Sequence, residues 1–155
     1  MPEINKKPHS NGIQYANFDG ANGQGTADLF GLSNAVVVPV GSGNRVITSG
    51  TIGMRADETV PQGLDEEVEQ AFKNIEEALG AAGLSQDLWK KVYKLKIYVV
   101  EKDRDIIFEA ANRVSKRLLG HTKPAISAVV VPAILHPDAR LELEIEALLP
   151  HCSKL

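Results

Sequence analysis

The chain has 155 residues, of which 43% are hydrophobic, 24% charged and 5% aromatic. That is the composition of one ordinary globular domain, and it excludes disordered, collagenous and membrane-embedded classes. Lys and Arg number 17 against 20 Asp and Glu, for a formal net charge of −3, so no basic excess exists to neutralise phosphates and no nucleic-acid partner is expected. The only cysteine, Cys152, has no partner within the chain, which fits a reducing compartment and removes thiolate metal sites. No apolar run approaches the ~18 residues of a membrane span, and residues 1–10 lack the apolar core of a secretory signal. The expectation is a cytoplasmic protein with no membrane partner; Lys6 and Lys7 without arginines do not make a transit peptide.

Residues 1–30 are rich in turn formers (Asn11-Gly12, Asp19-Gly20, Asn22-Gly23), with Tyr15 and Phe18 among them, and read as an irregular, mobile N-terminal arm. Residues 31–155 read as a single domain. Ala35–Pro39 and Arg45–Ser49 are short β-branched segments around Gly41-Ser42-Gly43-Asn44, the pattern of a β-hairpin. Leu64, Val68, Ala71, Phe72, Ile75, Ala78 and Leu79 recur at helical spacing behind Asp65, Glu66 and Glu67 and ahead of Gly83, which predicts a helix with an acidic first turn and a glycine stop. Tyr93, Leu95, Ile97 and Val99 alternate with polar residues as in a strand. A second helix then begins near Asp103 and Asp105, carries Ile107, Phe108, Ala111, Val114 and Leu118 on one side, and ends at Gly120. Ala125–Val131 (AISAVVV) reads as a strand buried on both faces, whereas Leu141, Leu143 and Ile145 alternate with Glu142, Glu144 and Glu146. The order β-β-α-β-α-β-β implies a two-layer α+β domain with a mixed sheet and both helices on one face. No third helix remains to cover the second face of AISAVVV, so a second subunit is expected there.

Chemistry-bearing motifs are few. There is no phosphate loop, dinucleotide fingerprint, Gly-x-Ser-x-Gly elbow or His-Glu-x-x-His, and the four histidines lack ligand spacing; neither a metal nor a cofactor is expected. Glu142, Glu144 and Glu146 share one side of a strand at roughly 6.5–7 Å spacing. Such a row is either a solvated face or, where one member enters a cleft, an acid whose pKa is raised toward the range of proton transfer. Glu144, in the middle, is the candidate. Ile47-Thr48-Ser49-Gly50-Thr51-Ile52-Gly53 ends a strand in small residues, which allows either close approach of a ligand to the backbone or simply a tight turn.

Taken together, Ser33-Asn34-Ala35, the Ile47–Gly53 block, Gln70 with Asn74-Ile75, Ala81-Ala82-Gly83, Asn112, Lys123-Pro124-Ala125 and Glu144-Ile145-Glu146-Ala147 resemble the reactive intermediate deaminase (Rid, or YjgF) superfamily over about residues 31–149. The resemblance implies a chorismate-mutase-like fold, a homotrimer with a central β-barrel, and small-molecule clefts between subunits. It also implies that Glu144 places or activates water, with Leu32, Gly50, Thr51, Asn112, Ile126 and Ala128 at substrate-binding positions. Several of these depart from the family pattern. Ile126 stands where deaminating members carry the arginine that grips a substrate carboxylate, Leu32 stands for a tyrosine, Thr51 for a glutamine, and Ala128 for a small polar residue or cysteine.

The cleft so implied is more apolar than the family's, with one acid. The reading is therefore an enzyme acting on a small imine, enamine or carbonyl metabolite, with Glu144 moving a proton or orienting water and backbone amides near Gly50 and Ala128 polarising an oxygen. It is not a standard 2-imino-acid deaminase. The alternatives are a non-catalytic ligand-binding or regulatory trimer, and an endoribonuclease or translation inhibitor, an activity also attributed to members of the family; the charge balance argues against the last. Arg140, four residues before Glu144, is read either as reaching the cleft or as a surface partner of nearby acids.

Overall fold

The computed structural model describes residues 11–151. The two expected helices are present: Leu64–Ala81 and Arg104–Leu119. In the first, Val68, Ala71, Phe72, Ile75 and Leu79 are buried, while in the second the buried row is Ile107, Ala110, Ala111, Val114 and Ser115. Gly83 adopts φ +100 just past the first helix, a conformation that would strain a side chain.

Six strands form one sheet: β1 (Gln14–Ala16), β2 (Ala35–Val40), β3 (Gly43–Thr48), β4 (Val92–Val100), β5 (Ala125–Val131) and β6 (Leu141–Pro150), in spatial order β1-β2-β3-β6-β4-β5. The sheet is mixed as expected, β4 and β5 running parallel and the other pairs antiparallel. β2 and β3 are paired as far as Val40 and Gly43, leaving the two-residue loop Gly41-Ser42, with Gly41 at φ +51, as a tight hairpin requires.

Alternation along β4 and β6 sorts side chains to two faces. Leu95, Ile97, Val99, Leu141, Leu143 and Ile145 are all buried in the core with the helices. Each such residue buried contributes roughly 1.5–3 kcal/mol. Lys94, Lys96 and Tyr98 pair with Glu146, Glu144 and Glu142 on the opposite, open face.

Two expectations are corrected. β5 is not buried on both faces within the chain: it is an edge strand, paired only with β4, and Ile126, Val129 and Val130 are 46%, 39% and 46% exposed. Its apolar composition was read as burial, but the two helices stop short of this edge. The lead-in read as irregular is instead organised between residues 14 and 30. It supplies β1, a single π-helical turn at Ala21–Gly25 and the short helix α1 (Thr26–Phe30), so that Leu64–Ala81 and Arg104–Leu119 are α2 and α3. Asn17 and Asn34 hold it down: Asn34 N–H donates to Asn17 Oδ1, and Asn34 Oδ1 accepts from Phe18 N–H. Residues 1–10, the rest of that arm, lie outside the described residues.

Arg140 is neither in a cleft nor a surface partner. Its guanidinium bonds Glu67, a fully buried residue of α2, and its backbone N–H donates to the same carboxylate at 2.6 Å. A second guanidinium nitrogen donates to the carbonyls of Pro61 and Gln62. Removing one partner of a buried pair leaves the other charge uncompensated and costs about 3 kcal/mol or more. Arg140→Leu is therefore expected to lower unfolding free energy in urea by about that amount, and a loss under about 1 kcal/mol, the scale of a surface pair, would show that the pair is not a structural anchor.

Candidate functional site

The site begins where β3 ends. After Thr48 the backbone leaves the ladder and rejoins it at Thr51, which exchanges two backbone hydrogen bonds of 2.9 Å with Leu143 of β6. Between them lies Gly50, packed so closely on the Glu142 side chain that a Cβ there would collide with the carboxyl group. Only glycine lets the carboxyl lie against the turn.

Over this turn the N-terminal segment and the β5–β6 loop close a cavity of about 520 Å³. Its walls are largely apolar: Phe18, Phe30, Leu32, Ile52, Ile134 and Leu135 take part. No lysine or arginine is among the described residues that line it. Most of the polar groups there are already engaged. Asn74 donates to the carbonyls of Ile52 and Met54 and accepts from Asn22 and Gln70, and the hydroxyls of Ser49 and Thr51 donate to backbone carbonyls.

Two titratable side chains keep hydrogen-bonding capacity for a ligand. Glu142 makes no hydrogen bond or ion pair with any described residue, and burial first, then the neighbouring charge of Glu144, hold its carboxyl above the usual carboxylate range. His136 accepts at Nδ1 from the Asp138 N–H, which in the neutral ring leaves the proton on Nε2 as a donor. Both line the cavity.

The residues singled out from the sequence divide. Leu32, Gly50 and Thr51 lie together in the cavity wall. Glu144 does not line it: its carboxylate receives the Tyr98 hydroxyl at 3.1 Å and pairs with Lys96 at 3.5 Å. That lysine is in turn held above its usual range by Tyr98 first and then by Glu144. Glu146 is similarly engaged by Tyr93, whose hydroxyl burial and the Glu146 hydrogen bond push up to about 12. Ile126 and Ala128 pair with Leu95 and Ile97, so they continue the helix-side row, on the sheet face opposite to Glu144. Asn112 sits on α3, also away from the cavity. A single chain thus unites three of the seven. A larger depression of about 640 Å³ near Trp89 and His121 contains none of them.

Glu142 and His136 were missed. Glu142 read as one of three equivalent carboxylates, and what separates it from the others, Gly50 beneath it and the lack of a basic neighbour, depends on which strands adjoin β6. His136 sits in a loop whose course no periodicity reveals.

An α+β domain with this sheet order and a pocket at the end of a hairpin defines a class of small cleft-bearing proteins, and comparison places the chain within it. Residues 31–149 match the family model described as Endoribonuclease L-PSP, and the chain belongs to that family, the YjgF group of the sequence analysis. Among solved structures it is similar to the protein YJGH (21% identity, TM-score 0.72, covering 90% of this chain and 98% of that one). A YjgF/YER057c/UK114 family member from Mycobacterium tuberculosis is 24% identical at a TM-score of 0.67, covering 88% and 99% of the two chains. A putative endoribonuclease from Thermotoga maritima is 29% identical at 0.61, covering 75% and 84%. No curated protein matches the chain in sequence. Among the described residues no helix is long and apolar enough to cross a membrane.

The environment of Glu142 sets a pH dependence. Its folded pKa lies above the unfolded one, so in acid both states are protonated and the residue has no effect. As pH rises the unfolded chain ionises first, and stability falls until the folded carboxyl ionises too. Glu142→Gln is therefore expected to raise the melting temperature at about pH 8 and leave it unchanged near about pH 3.5; equal stability of variant and wild type at the higher pH would contradict this environment.

Proposed function

We propose that the protein is an enzyme of this family acting on a small imine, enamine or carbonyl metabolite, in clefts completed by neighbouring copies in a homotrimer, through acid–base or water-orienting chemistry of a β6 carboxyl. The observation that carries the reading is the cavity itself: apolar walls, a glycine turn that brings backbone close, and, among the described lining residues, one unpaired carboxyl and no lysine or arginine. Preorganised backbone and a poised acid suffice to polarise and protonate a C=N or C=O group.

The trimer is supported by the exposed apolar residues of β5, which in a lone chain would leave an unprotected sheet edge. A single chain places Ile126 and Ala128 on the face opposite to Glu144, and a cleft shared between copies would be one way for these positions to serve one site. The second reading, a non-catalytic ligand-binding trimer, is favoured by the engagement of Glu144 with Lys96 and Tyr98. Ribonuclease activity, which the family's description names, finds no support in a cavity whose described lining holds a carboxyl group and no lysine or arginine, since a phosphodiester would meet no countercharge among those residues.

Freshly generated imines decide between these readings. On protein shown by sedimentation to be trimeric, carboxylate-free imines are expected to be hydrolysed at least about tenfold more efficiently than 2-iminopropionate, the worth of one missing charge-assisted hydrogen bond. Ile126→Arg is expected to shift the preference toward the imino acid. Absence of turnover on every imine would favour the binding reading, and a monomer in solution would contradict the assembly.

A further inference from the structure

Two carboxyl groups stand two residues apart on β6 in opposite environments. Glu144 faces Lys96 and Tyr98, which match its charge. Glu142 lies across the strand pair from Tyr98, which turns its hydroxyl to Glu144 instead. Its other neighbours are Gly50 and the cavity, where His136 is the sole other titratable side chain among the described lining residues. A pair of acids whose surroundings differ in this way divides the roles: one is held by an ion pair and a hydrogen bond, the other keeps its hydrogen-bonding capacity for a ligand.

We propose that Glu142, rather than Glu144, is the carboxyl that meets the ligand in this cavity, donating a hydrogen bond to the oxygen or nitrogen of an uncharged ketone- or imine-type molecule with an apolar body, with His136 Nε2–H as a second donor. The inference rests on the reading of the cavity as the functional cleft. Its ligand class follows from the walls. An apolar body fills the space between Phe18, Leu32 and Ile134, whereas a carboxylate would be desolvated there with no lysine or arginine among the described lining residues to pair with it. The raised pKa of Glu142 supports the donor role.

With an imine bound, the carboxyl proton passes to nitrogen as water adds to the carbon, and the carboxylate takes back the proton that the added water sheds. The regenerated carboxyl then protonates the amino group. As the C–N bond breaks, ammonia leaves and the hydroxyl proton returns to Glu142, with the carbonyl formed. Gly50 is the positioning residue, because any side chain there displaces the carboxyl group.

The test uses cyclohexanone and cyclohexanecarboxylate as probes and the imine of cyclohexanone as substrate, with wild type, Glu142→Leu, Glu142→Gln and Glu144→Gln. Binding is read by amide chemical-shift titration, whose unperturbed resonances also show that each variant is folded. Cyclohexanone is expected to bind wild type in preference to the carboxylate, to lose at least about tenfold in affinity in Glu142→Leu, and to keep affinity within about threefold in Glu142→Gln, which retains a donor. Glu142→Gln is expected to lose turnover while binding, and Glu144→Gln to lose less than about threefold in ketone affinity. Equal binding to Glu142→Leu, loss confined to Glu144→Gln, preference for the carboxylate, or no ketone binding to wild type would each overturn the assignment. Turnover that depends on Glu144 alone would overturn it while leaving the proposed reaction standing. Ketone binding that depends on Glu142 without turnover of any imine would uphold it and remove the reaction.

Discussion

The arrangement of the cavity depends on a buried ion pair outside it. Glu67 sits inside α2 with no exposed surface, and its carboxylate receives both the guanidinium and the backbone N–H of Arg140. Gly53 packs directly on the backbone of Glu67, where any Cβ would collide. One contact thus fixes three things: the start of β6, the loop that carries Pro61 and Gln62 into α2, and the segment running from β3 past Gly50. Glu142 is two residues beyond Arg140, so the register of the cavity carboxyl is set from the helix layer. Desolvating such a pair is costly, and an apolar substitute of like shape often serves stability equally well. What the charged version supplies here is direction, since a fork that must meet Glu67 and two carbonyls together admits one approach of the chain.

A second theme is how one strand handles three carboxylates. Glu144 and Glu146 each face a basic residue and a tyrosine hydroxyl on β4, which is the ordinary way a sheet face neutralises a row of like charges. Glu142 breaks the series. Its opposite residue is Tyr98, already committed to Glu144, and the next element is a glycine turn instead of a charged strand. The same alternating pattern therefore produces two structural carboxylates and one with spare capacity at the edge of an apolar cavity. The spare capacity of Glu142 comes from what its neighbours omit, and the composition of the strand itself does not announce it.

Much of the fold was legible because it follows from period. Leu64–Ala81 and Arg104–Leu119 show helical spacing between a charged first turn and a glycine, and β6 alternates from Leu141 to Ala147, so the buried and open faces of that stretch followed from the sequence. The hairpin itself followed from the Gly41–Asn44 run, while its register, with Gly43 and Asn44 inside β3, did not. What did not follow was anything that depends on long-range contact. Asn17 and Asn22 look like turn formers, and only their bonds to Asn34 and Asn74 show that they pin β1 and the π-helical turn onto the domain. AISAVVV looks buried on both faces because an apolar edge strand and an apolar central strand have the same composition. Of the site, Leu32, Gly50 and Thr51 were recoverable from their place in the family pattern, whereas Glu142 was hidden by its likeness to Glu144, and Arg140 by the distance in sequence to Glu67.

The central claim is that ligand chemistry in this protein is directed by the carboxyl beneath Gly50, and a crystal structure with cyclohexanone bound tests it most directly. The account predicts the ketone in the cavity between Leu32 and Ile134, its oxygen within hydrogen-bonding distance of Glu142, and the Lys96–Glu144–Tyr98 cluster undisturbed. A ketone oxygen directed at Glu144, with Lys96 displaced to admit it, would contradict the account and return the chemistry to the residue that the family pattern first suggested.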